Sequence, residues 1–187
     1  SEAAYVWAQF PEGLGTVIVE FDRSGVELSQ EYTNMFGHPQ YQWRMDDVTI
    51  PEDNIVIRGE DAFKKMLVIL NWERLNGSNF ANALSACALR KALDYAETRV
   101  QFDQPLSEFQ GIQWKLANMI KELEVSRAMT YGTAKEAKAR GGVPTPLHSS
   151  IANLHATEAL DMIVDESVQI HGANGVMQGH PLEYLYR

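Results

Sequence analysis

The sequence predicts an α+β fold: a partial antiparallel β-domain over residues 1–57, then an antiparallel helical bundle over residues 58–187. Three observations carry this. Up to residue 57, short stretches alternate apolar and polar side chains between turn-forming glycines and prolines. From about residue 59 the apolar period lengthens to that of a helix. Loops rich in Gly and Pro then divide the remainder into three long helices and a fragment of a fourth.

In chain order, residues 5–10 are rich in strand formers, and Gly13 and Gly15 punctuate before residues 16–21. Ser24 and Gly25 mark a turn, and residues 26–29 and 41–45 alternate again. Val48, Thr49 and Ile50 read as a last strand before the break at Pro51. Four or five strands are few for a sheet domain that protects its own edges. Beyond them, Phe63, Met66, Leu67, Leu70, Leu75, Leu84, Leu89 and Leu93 mark a long first helix, with a break expected near Gly77. Pro105 marks the next junction and Ser107 opens a second helix. Its Ile112, Leu116, Met119, Ile120 and Leu123 form one inward stripe. After the loop at residues 141–146, a third helix turns Ile151, Leu154, Leu160, Ile163, Val164 and Val168 inward and stops at residues 172–175.

With 45% hydrophobic and 22% charged residues, the composition supports a packed core rather than a disordered chain. The 16 basic and 25 acidic side chains leave a formal charge of −9, which argues against a surface built to grip nucleic acid. A local cationic pocket is still compatible with that balance. The one cysteine, Cys87, precludes an internal disulfide and a cysteine-rich metal site, and its alanine-rich surroundings read as core. No apolar run reaches membrane-spanning length, and the first residues lack the basic region of a signal peptide. The chain starts at Ser1 rather than Met and enters strand-like sequence at once, as expected of a processed or excised piece.

Four features have chemical potential. His148 and His155 lie seven residues apart, a spacing without the supporting ligands of a metal site. Glu73 and Arg74 follow an apolar run and read either as a structural ion pair or as a tuned acid–base group. Arg99, with Phe102 close behind it at a helix end, suits a phosphate and a stacked adenine, or else complements the helix dipole. Residues 172–175 (Gly-Ala-Asn-Gly) form either an anion nest or a helix cap and turn.

In order and spacing, six segments resemble the acyl-CoA dehydrogenases. Residues 46–54 resemble the family's exit from its middle β-domain, and residues 70–74 (Leu-Asn-Trp-Glu-Arg) its glutamate–arginine pair. Residues 99–110 resemble "RxQFGxPLxxFQ", and residues 116–119 resemble "LAdM". Residues 169–175 resemble "QxxGGxG", and residues 181–187 resemble "PVERLYR". The chain departs from these patterns at Asp103, Ala173 and Tyr184, where Gly, Gly and Arg are usual. The likeness runs from about residue 5 to Arg187 and corresponds to the later β-domain and most of the C-terminal helical domain.

The resemblance implies oxidation of an acyl-CoA to the trans-2-enoyl-CoA, with FAD as the cofactor. It makes Glu73 a candidate for the base that removes the α-proton, the alternative being a glutamate beyond Arg187. It implies cofactor contacts from Arg99, Phe102, Gln110, Gln169, Gly172 and Gly175, with Arg99 reaching the pyrophosphate of FAD in a neighbouring subunit. Asn71 and Arg74 match substrate-binding positions. The same resemblance implies a homo-oligomer (a dimer or dimer of dimers), an electron-transfer flavoprotein as acceptor, and a location in bacterial cytoplasm or the mitochondrial matrix. Two other readings stand beside it: a non-catalytic subunit of a heteromeric dehydrogenase, and a helical interaction module.

Overall fold

The computed structural model describes residues 2–187 and divides into two compact units, the first ending at Ile69 and the second covering Leu70–Arg187. In the first unit, β1 (Ala3–Phe10) and β2 (Gly13–Glu20) form an antiparallel hairpin around Pro11 and Glu12. β3 (Val26–Thr33) and β4 (Pro39–Met45) form a second, separate hairpin. The fifth strand, β5 (Ile55–Ile57), pairs with β2 and makes it the centre of a three-stranded sheet. That central position is why Gly15, Thr16, Val17 and Val19 are the buried residues of the sheet. Phe21 stacks on Trp43 with ring centroids 3.9 Å apart. The strand expected at Val48–Ile50 is absent. Asp47 takes a positive φ of 51°, and Glu52–Asn54 coil into a 3₁₀ turn behind Pro51, so pairing resumes only at Ile55.

Four helices follow: α1 (Ala62–Thr98), α2 (Gln110–Ala139), α3 (Pro146–His171) and the short α4 (Pro181–Tyr186). The boundary between the units falls inside α1. Between α1 and α2 lies a two-stranded hairpin, β6 (Val100–Gln101) and β7 (Gln104–Pro105), followed by a 3₁₀ turn over Leu106–Glu108. The second helix therefore opens at Gln110, after that turn, rather than at Ser107. Thr145 caps α3: its hydroxyl accepts from the His148 N–H, and Pro146 stands at the first helical position.

Side-chain pairs fix the directions of the helices. Asn82 of α1 bonds to Ser126 and Thr130 of α2, while Ala88, Leu89, Ala92 and Ala96 pack with Leu116, Met119 and Leu123. Rising numbers on α1 meet falling numbers on α2, so these two helices are antiparallel. Lys115–Glu166, Glu122–His155 and Glu136–His148 make α2 and α3 antiparallel by the same reasoning. The apolar core is completed by Ile163, Val164 and Ile170 of α3 and Leu182 of α4. At the other end the contact is polar: Asn82 Nδ2 donates to Thr130 Oγ1 at 3.0 Å, and Ser126 Oγ donates to Asn82 Oδ1 at 2.5 Å.

Several burial expectations are corrected. Helix α1 runs unbroken through Gly77. Cys87 is exposed, because the alanines that pack inward, Ala88, Ala92 and Ala96, occupy the opposite flank of α1. Ile120 is 43% exposed while Leu116, Met119 and Leu123 are buried. On α3 the inward face is Ala152, Ala156, Ala159 and Ile163, which leaves Ile151 and Leu154 exposed. The alanines bring the helices close, and the larger side chains a turn away are displaced outward.

Candidate functional site

The end of α1 and the end of α3 meet around a cavity of about 340 Å³. Tyr95 and Arg99 line it from α1 and the residue after it, Gln101 and Leu106 from the hairpin, and Gln169, His171 and Gly172 from the end of α3. The hairpin wall is fixed to Arg99, whose carbonyl accepts from the Leu106 N–H at 2.9 Å. Gly172, at φ 56° and ψ −138°, ends α3 in a backbone region that glycine alone enters readily. The chain then coils through a 3₁₀ turn over Gly172–Val176. Gly175 is buried against α3: a Cβ there would stand 2.9 Å from the Val168 carbonyl oxygen.

An aromatic and polar cluster forms the floor. His171 is buried and stacks on Tyr95 at 4.3 Å between ring centroids, with His180 edge-on at 5.1 Å. His171 Nδ1–H donates to the Ser167 carbonyl at 2.8 Å, the partner that this backbone acceptor dictates. Asn174 Nδ2 donates to the Tyr95 hydroxyl at 3.0 Å, tying the turn after α3 to α1. Burial holds His171 below the usual histidine pKa, against the opposing effect of the Ser167 hydrogen bond. The neutral ring leaves Arg99 as the cation that lines the cavity. Arg99 is exposed and makes no ion pair among the described residues.

Of the residues expected at a cofactor site, Arg99, Gln169 and Gly172 share this cavity. Phe102 stands at the tip of the β6–β7 hairpin, 88% exposed and edge-on to Phe109. Gln110 is the exposed first residue of α2. Gly175 lines a neighbouring cavity of about 290 Å³ together with Gln169, Val176 and Tyr186. Tyr95, His171 and Asn174 were not among the expected site residues. Their only advance signal is position: one turn before Arg99, and within the glycine-containing segment.

Asn71, Glu73 and Arg74 lie elsewhere. Asn71 is 4% exposed, and its Oδ1 accepts from Arg74 Nη1 at 3.2 Å. Glu73 is exposed and makes no ion pair with Arg74, which bonds to Asn71 three residues back instead. From Glu73 to Thr98 the helix rises about 1.5 Å per residue, so Glu73 and Arg99 are separated by about 38 Å. No group of three or more His, Cys, Asp or Glu converges among the described residues, and no described helix is long and apolar enough to cross a membrane.

The family model for the C-terminal domain of acyl-CoA dehydrogenases matches residues 62–187. A 3-sulfinopropanoyl-CoA desulfinase of Paraburkholderia xenovorans is 32% identical over 92% of this chain and 45% of its own. An acyl-CoA dehydrogenase of Bacillus subtilis is 30% identical over 94% of this chain and 46% of its own. The chain thus spans about half the length of the curated relatives it matches. Among solved structures, butyryl-CoA dehydrogenase from Megasphaera elsdenii superposes with a TM-score of 0.89 at 26% identity. That likeness covers 100% of this chain and 50% of the other.

Proposed function

The chain belongs to the acyl-CoA dehydrogenase family by its C-terminal domain, and from that premise we propose that it is part of a flavin-dependent enzyme that oxidises an acyl-CoA to the trans-2-enoyl-CoA. The observation that carries this reading is the unpaired Arg99 guanidinium lining an open cavity bordered by the turn after α3. A guanidinium holds two phosphate oxygens at once, and a cavity of this size and polarity accepts the phosphate and adenosine end of a dinucleotide. Gln169 and the backbone at Gly172 add polar contacts from the facing wall. Phe102, exposed at the hairpin tip, offers a ring for the adenine. The bound FAD supplies the acceptor for the substrate's β-hydrogen.

Glu73 is the carboxylate of this chain assigned to receive the α-proton, a glutamate beyond Arg187 being the alternative. Arg74, which donates to Asn71 Oδ1, is with Asn71 the proposed contact for the thioester arm of the acyl-CoA. Because Glu73 and Arg99 lie about 38 Å apart on one rigid helix, one subunit contributes Arg99 and another Glu73 to each site. An electron-transfer flavoprotein is the proposed acceptor.

The test is acyl-CoA-dependent reduction of an artificial electron acceptor by the protein that carries this chain. Turnover with a saturated acyl-CoA is the expected result. Arg99→Ala is expected to lower flavin affinity about 10- to 100-fold, the equivalent of a lost charge-assisted hydrogen bond. Unchanged flavin retention on dilution would remove Arg99 from the cofactor site.

A further inference from the structure

The tip of the β6–β7 hairpin takes a left-handed backbone that Asp103 tolerates and the bulky Phe102 does not. Phe102 and Asp103 have φ values of 51° and 64°, where a two-residue hairpin turn ordinarily places Asn and Gly. Phe102 is 88% exposed with a single edge-on contact to Phe109, and Asp103 is exposed and makes no ion pair or hydrogen bond among the described residues. The hairpin itself is well fixed. Val100 pairs with Pro105, Gln101 pairs with Gln104, and the Leu106 N–H bonds the Arg99 carbonyl. The Asp103 backbone is therefore held within about 13 Å of Arg99, four extended residues away. Phe102 bears the strain of this turn, and Asp103 holds an unpaired carboxylate at its exposed tip.

We propose that Asp103 is an electrostatic brake on the Arg99 cavity, a specificity-determining residue that weakens binding of pyrophosphate ligands and keeps them exchangeable. This rests on the reading of that cavity as a dinucleotide phosphate site. A carboxylate whose backbone lies within about 13 Å of Arg99 would repel the two charges of a pyrophosphate held by that guanidinium, across a boundary with solvent. At an effective dielectric between about 40 and 80 the repulsion lowers affinity about three- to tenfold. At that separation about 1 M salt abolishes the effect, because the screening length falls to about 3 Å.

The experiment titrates ADP into the full chain by calorimetry in about 0.02 M and about 1 M salt, for wild type, Asp103→Asn, Asp103→Gly and Arg99→Ala. Asparagine tolerates positive φ as aspartate does, so Asp103→Asn removes the charge and preserves the turn. Three- to tenfold tighter ADP binding by Asp103→Asn in low salt is expected, matched by Asp103→Gly and lost in high salt. The thermal midpoint of Asp103→Asn should equal that of wild type. Equal affinity of wild type and Asp103→Asn in low salt overturns the brake, as does a gain that persists in high salt. If Arg99→Ala weakens ADP binding while Asp103→Asn changes nothing, only the brake fails. If Arg99→Ala leaves ADP binding unchanged, or no variant binds ADP, the reading of the cavity fails and the brake with it.

Discussion

His171 lies between Tyr95 and His180, with its Nδ1–H committed to the Ser167 carbonyl. Burial favours its neutral form, the Ser167 bond opposes that preference, and the charges of His180 and Lys91 reinforce it. Its folded-state pKa is thus below the 6.5 of an ordinary histidine. The unfolded chain takes up the proton first, so this group's stabilising contribution is complete above pH 6.5 and is lost as pH falls through the lowered value. The thermal midpoint should therefore decline on acidification below about pH 6.5. His171→Phe keeps a ring against Tyr95 and should flatten that decline; an equally steep decline in the variant would assign it to other groups. Arg99, Gln169 and Gly172 were legible in the sequence because each belongs to a recognisable helix-end segment. The Tyr95–His171–Asn174 cluster was not, because its hydrogen bond joins residues 79 apart and periodicity reports a face, never a partner.

At the level of the helices, Leu116 and Ile120 share one predicted stripe and have different fates. Leu116 is 8% exposed within the core cluster, whereas Ile120 is 43% exposed. Leu116→Ala should destabilise the protein by about 2–5 kcal/mol through lost transfer energy and a residual cavity. Ile120→Ala should stay within about 0.5 kcal/mol, as surface changes do. Denaturant titration of both variants checks the pair, and equal losses would mean that the stripe is buried throughout. The number and order of long helices were legible from the 3.6 period and the Gly-Pro loop. The inward face was legible at Leu116, Met119 and Leu123 of α2 and at Ile163 and Val164 of α3, but not where alanine and serine make the contact surface. Gly77 follows the same logic. A Cβ there would stand 2.9 Å from Asn153 Oδ1, a side-chain end that can shift, so the glycine lies where α1 faces α3 rather than at a break. One glycine costs a helix about 1 kcal/mol, too little to break 37 residues of α1 held by packing.

For the whole molecule, the length of α1 decides how the proposed site is assembled. About 38 Å of continuous helix separates Glu73 from Arg99, longer than an extended dinucleotide in contact with a thioester. Large side chains also stand uncovered on this unit, among them Phe80 and Leu84 on α1 and Leu147, Ile151 and Leu154 on α3. Both facts favour sites shared between copies, and sharing has a consequence that a self-contained subunit lacks. In the protein that carries this chain, Glu73→Gln keeps the side-chain shape and removes the proposed proton acceptor. It should slow flavin reduction at least about 10²-fold, the low end for loss of a general base. Arg99→Ala should lose activity by losing cofactor. In a mixed dimer of the two variants, one site combines the intact Glu73 of one copy with the intact Arg99 of the other, and the second site carries both lesions. Random exchange of equal amounts makes about half of the dimers mixed, so about a quarter of wild-type turnover should return. Subunit exchange under mild denaturant, with FAD in excess, followed by single-turnover bleaching of the flavin, measures this. Turnover no higher than the mean of the two parent variants would place Glu73 and Arg99 in separate sites. Near wild-type bleaching by Glu73→Gln alone would move the base to a residue beyond Arg187.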